Sequence, residues 1–378
     1  MMEFAKRIQN VKPSATFKYA TLAKKPGVID LTIGRPDFDT PKIIKEAAKK
    51  ALDEGKVHYV STKGIPELRE KISEKLKVEN KIQNIDKEKV LVGGGAKSIL
   101  FQAIMAIIDK DDTVGLPNPS WVSYEEMINL AEGRVKWIGL KPENGFIPDE
   151  DFLSSLENSD LKLLIINSPN NPTGAVYSKK ILEKIIDICE RKGLWLISDE
   201  CYDAFLYEGN QFSLASVYEN TLTVNAFSKR YSMTGWRLGY AACQNSEVIE
   251  KMTLVQEQSL SCCTSFAQYG ALAAFTKEAN EDSKKMVSDF KKRRDYCMDR
   301  LGKLDVICKR PSGAFYVFPL FRGWDDLKLA DKLLENGVGV VPGSPFGSND
   351  KGCVRISYGS GNVNILKEAF DRIERALK

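Results

Sequence analysis

Residues 161–202 constrain the fold more than any other stretch of this chain. The apolar run Leu161 to Ile166 leads into Ser168-Pro-Asn-Asn-Pro-Thr-Gly174, and Leu194-Trp-Leu-Ile197 leads into Ser198-Asp-Glu-Cys-Tyr202. Between them Ile181, Leu182, Ile185, Ile186, Ile188 and Cys189 recur at helical spacing up to Lys192, with Gly193 as the stop. Strand, helix, strand is a βαβ unit, and it implies a parallel sheet covered by helices. Both polar clusters then lie at carboxyl ends of strands, where open α/β sheets bind their ligands. Taken singly, Pro-Asn-Asn-Pro also reads as a turn and Asp199 as a helix N-cap.

A second pair of strands frames the most telling chemistry. Thr221 to Ala226 reads as a strand, Arg237 to Cys243 as another, and Ser228-Lys-Arg-Tyr-Ser-Met-Thr-Gly-Trp-Arg237 joins them. Lys229 at a strand end suits a Schiff base with an aldehyde cofactor, and Arg237 suits a bidentate grip on that cofactor's phosphate. A solvated Lys–Arg pair is the plainer reading of the segment alone. Val92-Gly-Gly-Gly-Ala-Lys97 follows a strand and opens an apolar helix over Ile99 to Ile108, the geometry of an anion site at a helix N-terminus.

Together with Ile33 to Pro41, Gly64 to Arg69, Trp121 to Tyr124 and Pro311 to Tyr316, these segments resemble the class I pyridoxal-phosphate-dependent aminotransferases of fold type I. The likeness runs from Lys12-Pro-Ser-Ala-Thr16 to Val354-Arg-Ile-Ser-Tyr358 and leans toward the bacterial and archaeal aspartate aminotransferase branch. It implies a mostly parallel central sheet with helices on both faces, plus a smaller α/β domain. The large cofactor domain would span 46–284, and the small domain 1–45 with 285–378. By the same resemblance Lys229 carries pyridoxal 5'-phosphate and Asp199 pairs with its ring nitrogen. Tyr202 and Asn171 donate to its phenolate oxygen, and Trp121 stacks on the ring. Gly95, Ala96, Lys97 and Arg237 hold the phosphate, and Tyr59 reaches the phosphate of the neighbouring subunit in a homodimer. Arg355 clamps the α-carboxylate of the substrate, with Gly34, Trp121 and Asn171 beside it. Lys97 and Thr16 are placed for a second carboxylate, although Lys97 also reads as a solvated lysine at a helix start. One departure is Ala226, where many relatives have serine; Ser228 lies directly before the lysine.

The rest of the chain narrows the alternatives. A net charge of +4 over 378 residues, with lysines interleaved among acids, fits solvated helix faces and not a nucleic-acid stripe. No apolar stretch spans a membrane, and the amino terminus lacks the apolar centre of a signal peptide, so a cytoplasmic protein is expected. Eight scattered cysteines without a C-x-x-C pair give no metal motif, and the single histidine, His58, has no nucleophile motif near it. The expected reaction is ping-pong transamination between an amino acid, aspartate or glutamate favoured, and a 2-oxo acid. Aromatic, alanine or prephenate transamination stays open, as does a carbon–sulfur lyase on the same scaffold. A non-catalytic regulator would need a DNA-binding extension, and a nucleotide-binding loop would need glycine spacing that is missing here.

Overall fold

The computed structural model describes residues 4–9, 11–347 and 352–378; Met1 to Glu3, the start of the stretch read against a signal peptide, lie outside them. Seven strands build the central sheet: β1 (Val90–Gly93), β2 (Thr113–Asn118), β3 (Arg134–Gly139), β4 (Leu163–Asn167), β5 (Trp195–Asp199), β6 (Thr221–Ala226) and β7 (Gly239–Ala242). Their order is β1-β7-β6-β5-β4-β2-β3. The pairs β6-β5, β5-β4, β4-β2 and β2-β3 are parallel, while β7 runs against both its neighbours.

The alternation of side chains along β4 explains its uninterrupted apolar run. Leu164 and Ile166 enter one core with Leu182, Ile185 and Ile186 of the helix Lys179–Lys192. Leu163 and Ile165 enter the core on the opposite face with Ile99, Leu100 and Ile104 of the helix Ala96–Ile107. A strand covered on both sides has no solvent face to keep polar. Burying each such leucine or isoleucine contributes roughly 1.5–3 kcal/mol, so this sheet is the stable platform of the molecule.

Smaller strands join the two ends of the chain. Ile29–Asp30 pairs in parallel with Val338–Gly339, and Val354–Ser357 lies between Tyr316–Val317 and Val341–Pro342 in antiparallel order. The backbone continues this contact, since Ser357 N–H donates to the Leu31 carbonyl at 2.9 Å. The boundaries expected at 45/46 and 284/285 fall inside the continuous helices Lys42–Asp53 and Lys277–Leu301.

The strand ends are level. Asn167 sits beside Asp199, and Asp199 beside Val224. β7 runs in reverse, so its beginning, just after Arg237, lies at the same edge as the ends of β4, β5 and β6. The connections that follow β1, β2, β4 and β5, and the one between β6 and β7, thereby deliver polar residues to one rim.

Candidate active site

A cavity of about 630 Å³ opens at that rim, and it is lined by residues from both ends of the chain as well as the sheet. Lys229 sits in the short helix Phe227–Arg230 that follows β6, and its Nζ donates to the Gly34 carbonyl at 2.6 Å. Burial, with Arg355 and Arg237 acting the same way, lowers the pKa of this amine to about 8.

Asp199 ends β5 and is buried. One carboxylate oxygen accepts the Tyr124 hydroxyl at 2.6 Å, and the other accepts the Cys201 backbone N–H at 3.1 Å. Burial still raises its pKa above the ordinary carboxyl range, and the Tyr124 hydrogen bond offsets only part of that. A group that carries positive charge would relieve this desolvated carboxylate.

Arg355, on the strand Val354–Ser357, is 1% exposed. Its guanidinium donates to the Thr32 carbonyl at 2.5 Å and to the Asn171 side-chain oxygen at 3.0 Å, and it packs over the rings of Tyr316 and Phe346. Its buried Nε has no hydrogen-bond partner, and burial lowers its pKa. Because Asn171 spends its oxygen on Arg355, its amide nitrogen is the end left to donate to a ligand. Tyr202 and Tyr316 share a hydrogen bond of 2.8 Å between their hydroxyls.

The glycine turn after β1 packs against Arg237. Gly95 has φ +84° and ψ 164°, a conformation reserved for glycine, and a Cβ there would stand 2.8 Å from an Arg237 guanidinium nitrogen. No side chain caps the helix that starts at Ala96, so its first amides remain available to an anion. Arg237 itself is in the left-handed region at φ 54°, which corrects its expected place as the first strand residue: β7 starts at Gly239, and the guanidinium folds back to the Thr234 and Gly94 carbonyls.

Most of the residues expected at the site do line the cavity. Thr16, Gly34, Ala96, Lys97, Trp121, Asn171, Asp199, Tyr202, Lys229, Arg237 and Arg355 all do. Gly95 and Tyr59 do not: Gly95 stands behind the Arg237 guanidinium, and Tyr59 is 90% exposed on the surface of its own chain. Gly34 has a further use, because the Tyr316 hydroxyl fills the space its Cβ would take. Trp121 meets Tyr124 edge-on at 5.3 Å, and the Lys97 amine lies 5.0 Å from the Trp121 ring centre. Ala226 and Ser228 both reach the cavity wall, so a hydroxyl absent at 226 is present at 228. Tyr124, Tyr316, Cys201, Thr234 and Phe17 line the site without having been singled out for it. Tyr124, Tyr316, Cys201 and Thr234 lie inside the motif segments Trp121 to Tyr124, Pro311 to Tyr316, Ser198 to Tyr202 and Ser228 to Arg237, and that is the one sequence signal that points to them.

The charges of the cavity are lopsided. Lys24, Arg35, Lys97, Lys229, Arg237 and Arg355 line it against a single described carboxylate, Asp199. A second cavity of about 350 Å³ behind β6 lacks this excess, since Lys75 pairs with Asp203 at 2.7 Å and Arg230 with Glu79 at 2.8 Å. All eight thiols are without disulfides, and among the described residues no group of three or more His, Cys, Asp or Glu could hold a metal. No described helix is long and apolar enough to cross a membrane.

The aminotransferase class I and II family model matches residues 26–373. The chain belongs to that family. The aspartate/prephenate aminotransferase of Thermus thermophilus is 42% identical over 100% of this chain and 99% of that protein. Aromatic-amino-acid aminotransferase 2 of Thermococcus litoralis is 38% identical over 100% and 99%. Among solved structures, the Thermus thermophilus aspartate aminotransferase with maleate superposes with a TM-score of 0.95 at 40% identity, covering both chains fully. The family's reaction, transamination, is accordingly the reaction of this protein, and the fold is that of its aminotransferase relatives.

Proposed function

We propose that the protein uses pyridoxal 5'-phosphate to exchange an amino group between an acidic amino acid and a 2-oxo acid. The observation that carries this reading is the excess of cations around one buried carboxylate in the cavity. It suits a ligand with a phosphate at one end and a protonated ring nitrogen at the other, joined by an acidic substrate. The residues present fit the cofactor: a Cβ at Gly95 would fill the cradle beside Arg237, and Asp199 is a desolvated carboxylate that makes no close ion pair among the described residues, the Lys229 amine acting on it only from a distance.

Arg237 and the first amides of the helix Ala96–Ile107 hold the phosphate. Asp199, oriented by Tyr124, takes the ring nitrogen, and Asn171 and Tyr202 serve the phenolate oxygen. When bound, pyridoxal phosphate supplies an electron sink for the pair left behind when the substrate's Cα–H bond breaks. Nζ of Lys229 accepts the α-proton and gives it up again to complete the exchange, and its lowered pKa suits a base working near neutrality. Arg355 fixes the α-carboxylate through a planar fork already aligned by Thr32 and Asn171. Lys97 and Thr16, whose buried hydroxyl lacks a partner, receive the distal carboxylate. The small domain formed by both chain ends closes over the substrate and excludes water. Two copies assemble so that Tyr59 of each completes the other's phosphate site.

A coupled assay with aspartate and 2-oxoglutarate tests this reading. Lys229→Ala should lower turnover on the order of 10²–10⁴-fold, the worth of a positioned proton carrier. Lys97→Ser should weaken acidic donors by about 2 kcal/mol, the lower end for a charged partner that is only half-buried, and spare alanine. Equal losses for aspartate and alanine would remove the acidic specificity, and an active Lys229→Ala enzyme would remove the mechanism.

A further inference from the structure

The helix Ala15–Leu22 turns an unusual face to the cavity. Phe17, Ala20, Thr21 and, just beyond its end, Lys24 recur at spacings of three and four, and all line the cavity. In a globular protein such a stripe ordinarily enters the core; here only Tyr19 of this helix is buried. Phe17 is 70% exposed, and among the described residues no other aromatic ring packs on it. Its ring lies instead beside an ammonium: Lys97 Nζ is 5.7 Å from the centre of Phe17 and 5.0 Å from the centre of Trp121. No described carboxylate pairs with that ammonium, so the two rings are its partners in the open site.

Resting on the aminotransferase reading above, we infer that Phe17 sets donor specificity: its ring parks the Lys97 ammonium when the site is empty and forms the apolar wall for an aromatic donor side chain. The two donor classes use the same place differently. An acidic side chain draws Lys97 off the rings, because a charge pair in a half-buried site outweighs a cation–π contact. An aromatic side chain cannot neutralise Lys97 and leaves it parked, and it packs edge-on or offset against the exposed Phe17 ring, the arrangements aromatic pairs prefer. Phe17 stands on a surface helix with one buried residue, so it can follow a bulky side chain without disturbing the sheet.

The test is a ratio measured on the cofactor-loaded enzyme. kcat/KM for phenylalanine divided by kcat/KM for aspartate should fall about tenfold in Phe17→Ala, equivalent to ~1.4 kcal/mol. Phe17→Leu, which keeps apolar bulk without a ring, should fall less and serves if the alanine variant folds poorly. Inhibition constants for 3-phenylpropanoate and succinate, which carry the two side-chain types without an amine, should separate in the same direction. A ratio within threefold of the wild type in both variants, whether both donors decline or neither does, overturns the inference. Loss of the aminotransferase reading itself would look different, with no transamination of any donor by the wild-type protein.

Discussion

The Lys229 amine is tuned by its surroundings. Burial and the neighbouring Arg355 and Arg237 lower its pKa to about 8, whereas an exposed lysine holds its proton to about 10.4. The neutral, reactive amine therefore gains population as pH rises through about 8. In cofactor-free protein, the rate of aldehyde capture at Lys229 should climb with pH and level off above about 8, read by absorbance after rapid mixing. A climb that continues to pH 10 would show an ordinary lysine. The same shift has a sign for stability. Between about 8 and about 10.4 the unfolded chain holds the proton that the folded chain has released, so this group's contribution to stability rises with pH there and is least favourable below it. Lys229, Asp199 and Arg355 were legible in the sequence because each stands in a distinctive local run. Tyr124 and Tyr316 were not, because their contacts with Asp199 and Tyr202 span 75 and 114 positions and exist only once the sheet has brought strand ends together.

At the level of elements, the site is a product of strand direction. β4 and β5 carry apolar runs and β6 alternates threonine with leucine and valine, all readable as strands, and the helix between β4 and β5 follows its apolar stripe to Gly193. That β7 runs in reverse was not readable, because direction depends on pairing and leaves no mark on composition. This reversal is what brings Arg237 to the glycine turn after β1. The turn leaves no room for a side chain. Gly95→Ala should weaken pyridoxal phosphate binding by about 1–3 kcal/mol, the strain of a glycine-only conformation plus displacement of Arg237, while the sheet stays folded. Titration of the cofactor by absorbance, with circular dichroism as the folding control, measures this. Unchanged affinity would mean that the phosphate is not held at Gly95.

The whole molecule sets three sources of residues around one cavity: the sheet rim, the amino-terminal segment with Thr16 and Gly34, and the carboxyl-terminal strand with Arg355. Long-range closure of this kind explains why the cavity's shape could not be read from local patterns, although most of its members could. Tyr59, with Val57, Met105, Leu254 and Leu260, leaves large apolar side chains exposed on the single chain. Light scattering should give a dimer at assay concentration, and Tyr59→Phe should lower cofactor affinity without dissociating it, since the ring stays and only the hydroxyl is lost. A fully active monomer would contradict the assembly. The claim on which all of this depends is that the loaded protein carries out one half of an amino exchange and then stops until a second acid arrives. Mixing it with L-aspartate and no 2-oxo acid measures that directly. The account predicts one equivalent of oxaloacetate per site, no ammonia, and resumed turnover on adding 2-oxoglutarate; continuous release of ammonia, or no oxaloacetate at all, would contradict it.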